Sequence, residues 1–274
     1  MLRDKGDYGG GGWQEILEFP LQGRLQKPRR QGLTMVIDKG MGLAQVQDLL
    51  LVAAPYIDFI KLGFGTSVFY PADLLREKIG LVRSYGVDIF PGGTFLEVAV
   101  LQGKLELYLK TAREMGYTFV EVSDGTITME PEVRRRAIHR ALELGMGVIC
   151  EVGKKDPGDR VEETAILEQI RRDLEDGAYK VIVEGRESGK GVVIYDDAGA
   201  IKWEELEAMA AGIERLEDII WEAPLKQQQQ ELILRFGPNV NLGNVHPQDV
   251  LALEALRVGL RGDTLRAALR AAIS

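Results

Sequence analysis

Short apolar runs alternate with longer amphipathic segments along most of the chain, and this alternation indicates the fold. Runs of three to five mainly apolar residues, typical of buried strands, occur at 34–37, 58–62, 88–90, 119–122, 147–151, 180–183, 219–221 and 239–242. Apolar residues recur at helical spacing at 43–54, 72–85, 97–115, 131–144, 160–176, 202–213, 225–236 and from 247 onward. About eight strand–helix units over roughly 250 residues predict an α/β protein closed into a (β/α)8 TIM barrel.

A doubly wound open sheet is the main alternative to a barrel. Such a sheet normally has fewer strands and a Gly-rich phosphate fingerprint after its first strand, which Asp38-Lys39-Gly40 does not provide. We therefore expect one catalytic barrel domain over 26–274, preceded by an extension over 1–25. The polar, Gly-rich residues 1–12 predict a partly flexible end, and Trp13, Ile16 and Leu17 predict a short helix packed on the barrel.

Composition excludes several classes of function. The net charge of −8 and pI near 5.1 argue against a nucleic-acid binder, because phosphate contacts need a basic surface. The single cysteine, Cys150, lies within an apolar run, so it predicts a core residue and excludes a disulfide framework. No apolar run reaches the ~20 residues of a membrane span, and no secretory segment precedes the first strand. We expect a cytoplasmic protein with no nucleic-acid or membrane partner.

Ionisable residues within or at the ends of the apolar runs carry the sharpest chemical signal. These residues are Lys61, Glu121, Glu151 and Glu184. A buried charge costs several kcal/mol unless it is paired, so the set is expected where charges meet one another, a metal or a ligand. Carboxylates of this kind suit Mg2+. His139 and His246 lie in a basic helix and at a helix start, so zinc is not expected.

Two Gly-containing loops could bind an anion. Residues 185–189 (Gly-Arg-Glu-Ser-Gly) offer backbone N–H groups, a hydroxyl and a guanidinium, and Gly243-Asn244 lies between the last strand and its helix. In barrels a phosphate often binds at the loops after the last two strands. The loops therefore predict an anion site at the carboxyl ends of the strands.

The motifs in this order resemble those of the phosphosulfolactate synthase family. The matching segments are KPRxxGLTMVIDKG at 27–40, KLGFGTS at 61–67, PGGTFLE at 91–97, VEVSDGT at 120–126, EVGKKD at 151–156, VEGRESG at 183–189, WEAP at 221–224 and GPNVNLGNV at 237–245. The resemblance implies a TIM barrel and a carbon–sulfur lyase that adds sulfite to phosphoenolpyruvate with Mg2+, giving (2R)-phospho-3-sulfolactate. That product leads to coenzyme M in methanogens and to sulfolactate in some bacteria.

For this chemistry, the positions of individual residues suggest their roles. Mg2+ is expected on some of Glu121, Glu151 and Glu184, because these acids end neighbouring strands and would converge on the barrel axis. The substrate contacts are expected from Lys39, Arg186, Ser188, Gly189, Asn241, Gly243 and Asn244, with phosphate between the loops 185–189 and 241–244. A lysine would protonate the carbanion, and Lys154 is favoured because the flexible Gly153 could turn it toward the barrel axis. Lys155 and Lys61 are the other candidates for a catalytic lysine.

Two further readings stay open at this point. One is a barrel homologue with a binding or stress-related role that keeps the anion site, as in plant relatives linked to heat tolerance. The other is a different Mg2+-dependent phosphoenolpyruvate or aldol enzyme on the same fold. All readings share small-molecule ligands, and we expect a homo-oligomer.

Overall fold

Eight parallel strands form one sheet that curls into a nearly closed barrel, as the sequence predicts. A computed structural model describes residues 12–154 and 162–273 of the chain. The strands are β1 (Thr34–Asp38), β2 (Phe59–Leu62), β3 (Asp88–Pro91), β4 (Phe119–Val122), β5 (Gly147–Val152), β6 (Lys180–Val183), β7 (Ile219–Glu222) and β8 (Leu242–Val245). Their order is β3-β2-β1-β8-β7-β6-β5-β4. The two end strands meet where the Thr118 N–H donates to the Ile89 carbonyl at 3.2 Å.

Ten α-helices in the described residues follow the strands and surround the barrel. They are α1 (Leu43–Ala53), α2 (Ala72–Ser84), α3 (Gly93–Leu101), α4 (Leu105–Met115), α5 (Pro131–Glu143), α6 (Glu163–Glu175), α7 (Trp203–Gly212), α8 (Lys226–Phe236), α9 (Val250–Arg257) and α10 (Gly262–Ile273). The helix predicted over 97–115 is two helices, because Gly103 turns the chain with a φ of 65°. The last predicted helix likewise divides near Gly259, where φ is 81°.

The last strand lies further along the chain than the sequence predicts. The prediction over 239–242 is wrong, since β8 runs over Leu242–Val245. Asn241 ends the preceding turn instead: its side chain accepts from the Leu33 N–H and donates to the Glu217 and Ile219 carbonyls. These bonds fix the start of β8 at the amino-terminal end of the barrel.

Alternation of side chains along the strands separates the barrel interior from its outer surface. The amino-terminal part of the interior is apolar, with Met35, Phe59, Phe90, Ile149, Ile182 and Ile220 in one buried cluster. The intervening strand residues, including Cys150 at 0% exposure, belong to a second cluster packed against the helices. Two residues beyond four of the interior residues come Lys61, Glu151, Glu184 and Glu222. The carboxyl end of the interior is therefore charged.

The described part of the N-terminal extension contacts the barrel through its last residues. The flexibility predicted over 1–12 falls almost entirely on residues 1–11, which lie outside the described residues. A 3-10 helix spans Gly12–Glu15, but Trp13 and Ile16 are 77% and 69% exposed, so their predicted packing is wrong. Further on, the Leu21 N–H donates to the Val258 carbonyl, and Arg24 pairs with Glu254 at 2.9 Å. In the described parts of the chain, no helix has both the length and the apolar character needed to cross a membrane.

Candidate active site

Four glutamates, which we call the glutamate cluster, meet one lysine at the carboxyl end of the barrel interior. The cluster consists of Glu121, Glu151, Glu184 and Glu222, each at most 2% exposed. The lysine is Lys61 on β2, whose Nζ lies 2.8 Å from Glu121, 3.1 Å from Glu151 and 3.2 Å from Glu222. The side chains converge because each residue occupies an inward-facing position on a strand or, for Glu184, directly follows the last residue of a strand. The predicted convergence of Lys61, Glu121, Glu151 and Glu184 is confirmed.

The carboxylates control the charge state of Lys61. Burial alone would lower the pKa of this lysine, but the carboxylates of Glu121, Glu151, Glu222 and Glu184 together raise its pKa well above the usual value. A lysine that donates a proton near neutral pH needs a pKa shifted in the opposite direction. Lys61 is therefore better suited to holding the carboxylates than to releasing its proton.

Three members of the cluster could hold a metal ion. One oxygen from each of Glu151, Glu184 and Glu222 lies within 4.8 Å of the other two. Oxygens on opposite sides of a Mg2+ ion are about 4 Å apart, so small side-chain adjustments would bring this donor set onto the ion. The residues thus fit a hard divalent cation.

The candidate ligand set differs from the predicted one by one residue. Glu121 lies outside the group of three: one of its oxygens accepts from the Gly93 N–H at 2.7 Å and the other pairs with Lys61. Glu222, which the sequence prediction omitted, takes its place. The signal was available, because Glu222 ends an apolar strand two residues after the inward-facing Ile220.

A cavity of about 300 Å³ lies above the cluster, and we call it the mouth cavity. Its lining includes Phe64, Arg186, Ser188 and Asn244 in addition to the cluster and Lys61. A larger cleft of 610 Å³ is lined by α1 and the start of α9, and another of 820 Å³ lies at the amino-terminal end of the barrel. Neither contains the cluster, so the convergent charges rather than cavity size identify the site.

Backbone strain in the described residues is concentrated at the mouth cavity. In the described residues, positive φ at residues other than glycine occurs at Phe64, Arg186 and Asn244, with values of 56°, 56° and 52°. All three line the cavity. Such conformations cost about 1–3 kcal/mol each and are found preferentially at functional sites.

The loop after β6 is tied to the glutamate cluster through its backbone. The Gly185 N–H donates to Glu222 at 3.0 Å, and the Arg186 N–H donates to Glu184. A side chain at Gly185 would come within 2.5 Å of the Glu222 carbonyl, so only glycine allows this approach. The arrangement places Arg186 and Ser188 beside the carboxylates, on the rim of the cavity.

Asn244 presents a polar atom to the same cavity. The residue is 4% exposed, and its Oδ1 has no hydrogen-bond partner in the described structure. A buried polar atom left without a partner costs about 1–3 kcal/mol. Oδ1 is thus placed to accept a hydrogen bond from a bound molecule.

Of the other predicted substrate contacts, three lie near the site and one lies at the opposite end of the barrel. Gly189 and Gly243 are near the site but have structural roles: the Gly189 carbonyl accepts from Gln228, and a side chain at Gly243 would meet Met35 at 2.6 Å. Lys39 pairs with Glu187 at 2.6 Å, across the rim. Asn241 was placed in the mouth by the prediction, and this is wrong, because its amide is fully used at the opposite end of the barrel.

The favoured proton donor points away from the barrel axis. Lys154 donates to the carbonyls of Asp124 and Ile127 at 2.6 and 2.9 Å, within the loop after β4. Its predicted turn toward the axis is therefore not what the structure has, although Gly153 does adopt a φ of 109°. Lys155 lies outside the described residues. The role of either lysine in catalysis stays a prediction.

Comparisons with known proteins agree with the fold and show a family to which the chain is similar. The family model for (2R)-phospho-3-sulfolactate synthase (ComA) matches residues 22–263. Phosphosulfolactate synthase of Methanothermobacter thermautotrophicus is 45% identical over 250 residues, covering 90% of this chain and 96% of that protein. Phosphosulfolactate synthase of Methanocaldococcus jannaschii is 43% identical over 238 residues, covering 86% and 94%.

Among solved structures, 3-hexulose-6-phosphate synthase from Salmonella typhimurium has the same barrel architecture. It aligns with a TM-score of 0.53 at 15% identity, covering 87% of this chain and 99% of that chain. At this identity the likeness shows the fold alone.

Proposed function

Because this chain belongs to the phosphosulfolactate synthase family, we propose that it adds sulfite to phosphoenolpyruvate with Mg2+ and forms (2R)-phospho-3-sulfolactate. The observation that most supports the proposal is the grouping of Glu151, Glu184 and Glu222 below a cavity rimmed by Arg186 and Ser188. One part of this site suits a divalent cation and the other suits anionic oxygens. A substrate with both a carboxylate and a phosphate needs both.

Glu151, Glu184 and Glu222 would hold the Mg2+ ion. When bound, such an ion acts as a Lewis acid and stabilises negative charge that develops next to a substrate carboxylate. Lys61, itself paired with Glu121, would keep the carboxylates of Glu151 and Glu222 in place through the contacts described above. Arg186, Ser188 and the Nδ2 of Asn244 would donate hydrogen bonds that orient the phosphate at the rim.

The proposed reaction needs one bond and one proton. The sulfur lone pair of sulfite bonds to the methylene carbon of phosphoenolpyruvate, and the electrons of the C=C bond move to the carbon that carries the carboxylate. That carbon then takes a proton from a general acid on one face. Lys154 remains the proposed donor. It would have to leave the carbonyls of Asp124 and Ile127 to reach the cavity.

Incubation of the purified protein with phosphoenolpyruvate, sulfite and Mg2+ tests the proposal directly. Phosphorus NMR should show phosphosulfolactate, and chelation of the metal should stop its formation. Absence of this product in the presence of Mg2+ would contradict the proposal. Conversion of phosphoenolpyruvate to a different product would instead favour another Mg2+-dependent enzyme on this fold.

Two substitutions at opposite ends of the barrel locate the chemistry. Glu222→Gln keeps the side-chain shape but removes a candidate ligand charge, so kcat/KM should fall by roughly a hundredfold or more. Glu254→Gln alters a buried, ion-paired glutamate beside Arg24 at the other end and should leave kcat/KM close to wild type. Full activity of Glu222→Gln would mean that the glutamate cluster is not the site.

A further inference from the structure

We propose that Lys61 is a built-in second cation of the glutamate cluster, so that the cluster takes one divalent ion per chain and not two. The inference rests on the proposed function, because it concerns the same divalent-cation site. It assigns Lys61 a positioning role: the ammonium acts through the carboxylates and not on the reacting atoms.

The contacts of Lys61 are those of a shared cation. Its Nζ lies 2.8–3.2 Å from three different carboxylates. Two of these, Glu151 and Glu222, also belong to the group of three that could hold a metal ion. They would therefore lie between the ammonium and the divalent ion and contact both.

This arrangement has the composition of a two-metal centre with one metal replaced. Enzymes that use two divalent ions hold them about 3.5–4 Å apart, with carboxylates between them. Four carboxylates in one buried site would suit such a pair, because each ion needs several oxygen ligands. Here a side chain of the barrel wall occupies the second position with a single positive charge. That charge is covalently attached and cannot dissociate.

Backbone N–H groups fix two of the carboxylates, and this keeps the position of the Lys61 ammonium well defined. The Gly93 N–H donates to Glu121 at 2.7 Å, and the Gly185 N–H donates to Glu222 at 3.0 Å. Each of these glutamates therefore uses one oxygen for the backbone and the other for Lys61. Lys61 itself lies within β2, between β1 and β3 in the sheet. Neither side of the contact can move far without disturbing the barrel.

The proposal predicts how the cluster responds when the ammonium is removed. Wild-type protein should bind one Mn2+ or Mg2+ per chain at this site. Lys61→Met removes the positive charge and keeps a chain of similar length, so the divalent ion no longer meets a like charge at close range. The variant should either bind a second ion or bind the first about tenfold or more tightly.

Divalent binding to the full chain, counted with Mn2+ by electron paramagnetic resonance and with Mg2+ by calorimetry, tests this without any substrate. The matched control is Lys78→Met, which alters a lysine that is also buried and ion-paired, with Asp38, but lies outside the cluster. This control should bind one ion with wild-type affinity.

The possible results separate the inference from the proposed function. Two ions per wild-type chain, or unchanged stoichiometry and affinity in Lys61→Met, would overturn the role of Lys61 while leaving the metal site in place. No binding by the wild type would remove the proposed metal site and this inference with it. If Lys61→Met folds only with Mn2+ present, the ion has replaced the ammonium and the inference is supported. If the variant does not fold at all, the wild-type count decides between one ion and two.

Discussion

Asn244 shows how a single residue can serve the site at the expense of stability. Its backbone has a φ of 52°, and its buried Oδ1 has no partner in the described structure. Each feature costs about 1–3 kcal/mol in a typical protein. A residue held in this way is explained by a ligand that completes its hydrogen bonding.

Replacement of Asn244 by glycine should separate stability from binding. Glycine adopts positive φ without strain and removes the buried oxygen, so we expect the free energy of unfolding to stay equal or to rise by about 1 kcal/mol. The KM for phosphoenolpyruvate should rise about tenfold or more, because the amide contact is lost. Urea denaturation and steady-state kinetics measure the two effects.

Asn239→Gly is the matched control at the other end of the barrel. There the amide is satisfied, since Asn239 accepts from the Leu25 N–H at 3.0 Å and donates to the Gly23 carbonyl at 2.7 Å. This variant should lose stability and keep the wild-type KM. The opposite pattern in the two variants would contradict the role assigned to Asn244.

At the scale of elements, one buried glutamate organises the loop between β4 and α5. Glu97 on α3 accepts from the Ser123 hydroxyl at 2.6 Å and from the N–H groups of Thr126 and Ile127 at 3.0 Å. The same loop provides the carbonyls that hold Lys154. Glu97 therefore affects the position of the Lys154 side chain indirectly, through the conformation of this loop.

Glu97→Gln should loosen this loop and leave the barrel intact. The amide is a weaker acceptor than the carboxylate for three donors, so deuterium exchange over 123–130 should become faster while exchange in β4 and β5 stays slow. Glu132→Gln, a change at an exposed site on α5, should alter neither region. Unchanged exchange in the loop of Glu97→Gln would show that other contacts hold it.

The sequence predicted most elements because strands and helices in this fold differ in length and period, and it failed where those signals end. The helix predicted over 97–115 contains no proline, so only the left-handed turn at Gly103 reveals the break. Apolar residues lie on both sides of Asn241, so their alternation does not show where β8 begins. The bonds that fix the start of β8 involve residues more than 20 positions away.

The site was predictable as far as it lies on strands. Lys61, Glu121, Glu151 and Glu184 follow from interruptions of apolar runs, and Glu222 has the same signal. The orientation of Lys154 was not predictable, because it depends on carbonyls of a loop that Glu97 holds from a different helix. Strand residues have fixed directions, whereas loop side chains depend on tertiary contacts.

At the scale of the whole molecule, we expect a homo-oligomer because apolar residues are exposed on two neighbouring elements. Val68, Phe69, Val98 and Leu101 are 62%, 82%, 43% and 70% exposed, on the 3-10 segment Gly63–Phe69 and on α3. These two elements contact each other. Exposed apolar groups that lie close together commonly mark an interface.

Sedimentation velocity should therefore show a species larger than the 30.4 kDa chain. Phe69→Lys should shift it toward the monomer, because burying a lysine in an apolar interface is costly. Leu269→Lys, at a residue 55% exposed on α10, serves as the control and should not change the assembly. A monomeric wild type at all concentrations would refute the homo-oligomer.

Alkaline pH should destabilise the whole fold through its buried and half-buried tyrosines. Burial raises the pKa of Tyr70 to about 12 and raises the pKa values of Tyr108, Tyr117, Tyr179 and Tyr195 as well. A tyrosine whose folded pKa is raised keeps its proton when the unfolded chain has released it, so stability falls as pH rises above about 10. Burial lowers the pKa of Lys78 and Lys180, but their opposing effect on stability ends near pH 10.5. The free energy of unfolding should therefore fall between about pH 10.5 and 12.

Tyr117 allows this effect to be assigned to one hydroxyl. Its oxygen lies 2.7 Å from the Ser67 hydroxyl, and both residues are buried. Tyr117→Phe removes the hydrogen bond and the titrating group, so the slope of unfolding free energy against pH should become shallower by up to about 1.4 kcal/mol per pH unit above pH 10. Ser67→Ala removes the same hydrogen bond but keeps the phenol, so it should lower stability and retain the steep slope. Urea denaturation at several pH values from 8 to 11.5 compares the three proteins. Equal slopes in Tyr117→Phe and Ser67→Ala would mean that Tyr117 is not a source of the alkaline instability.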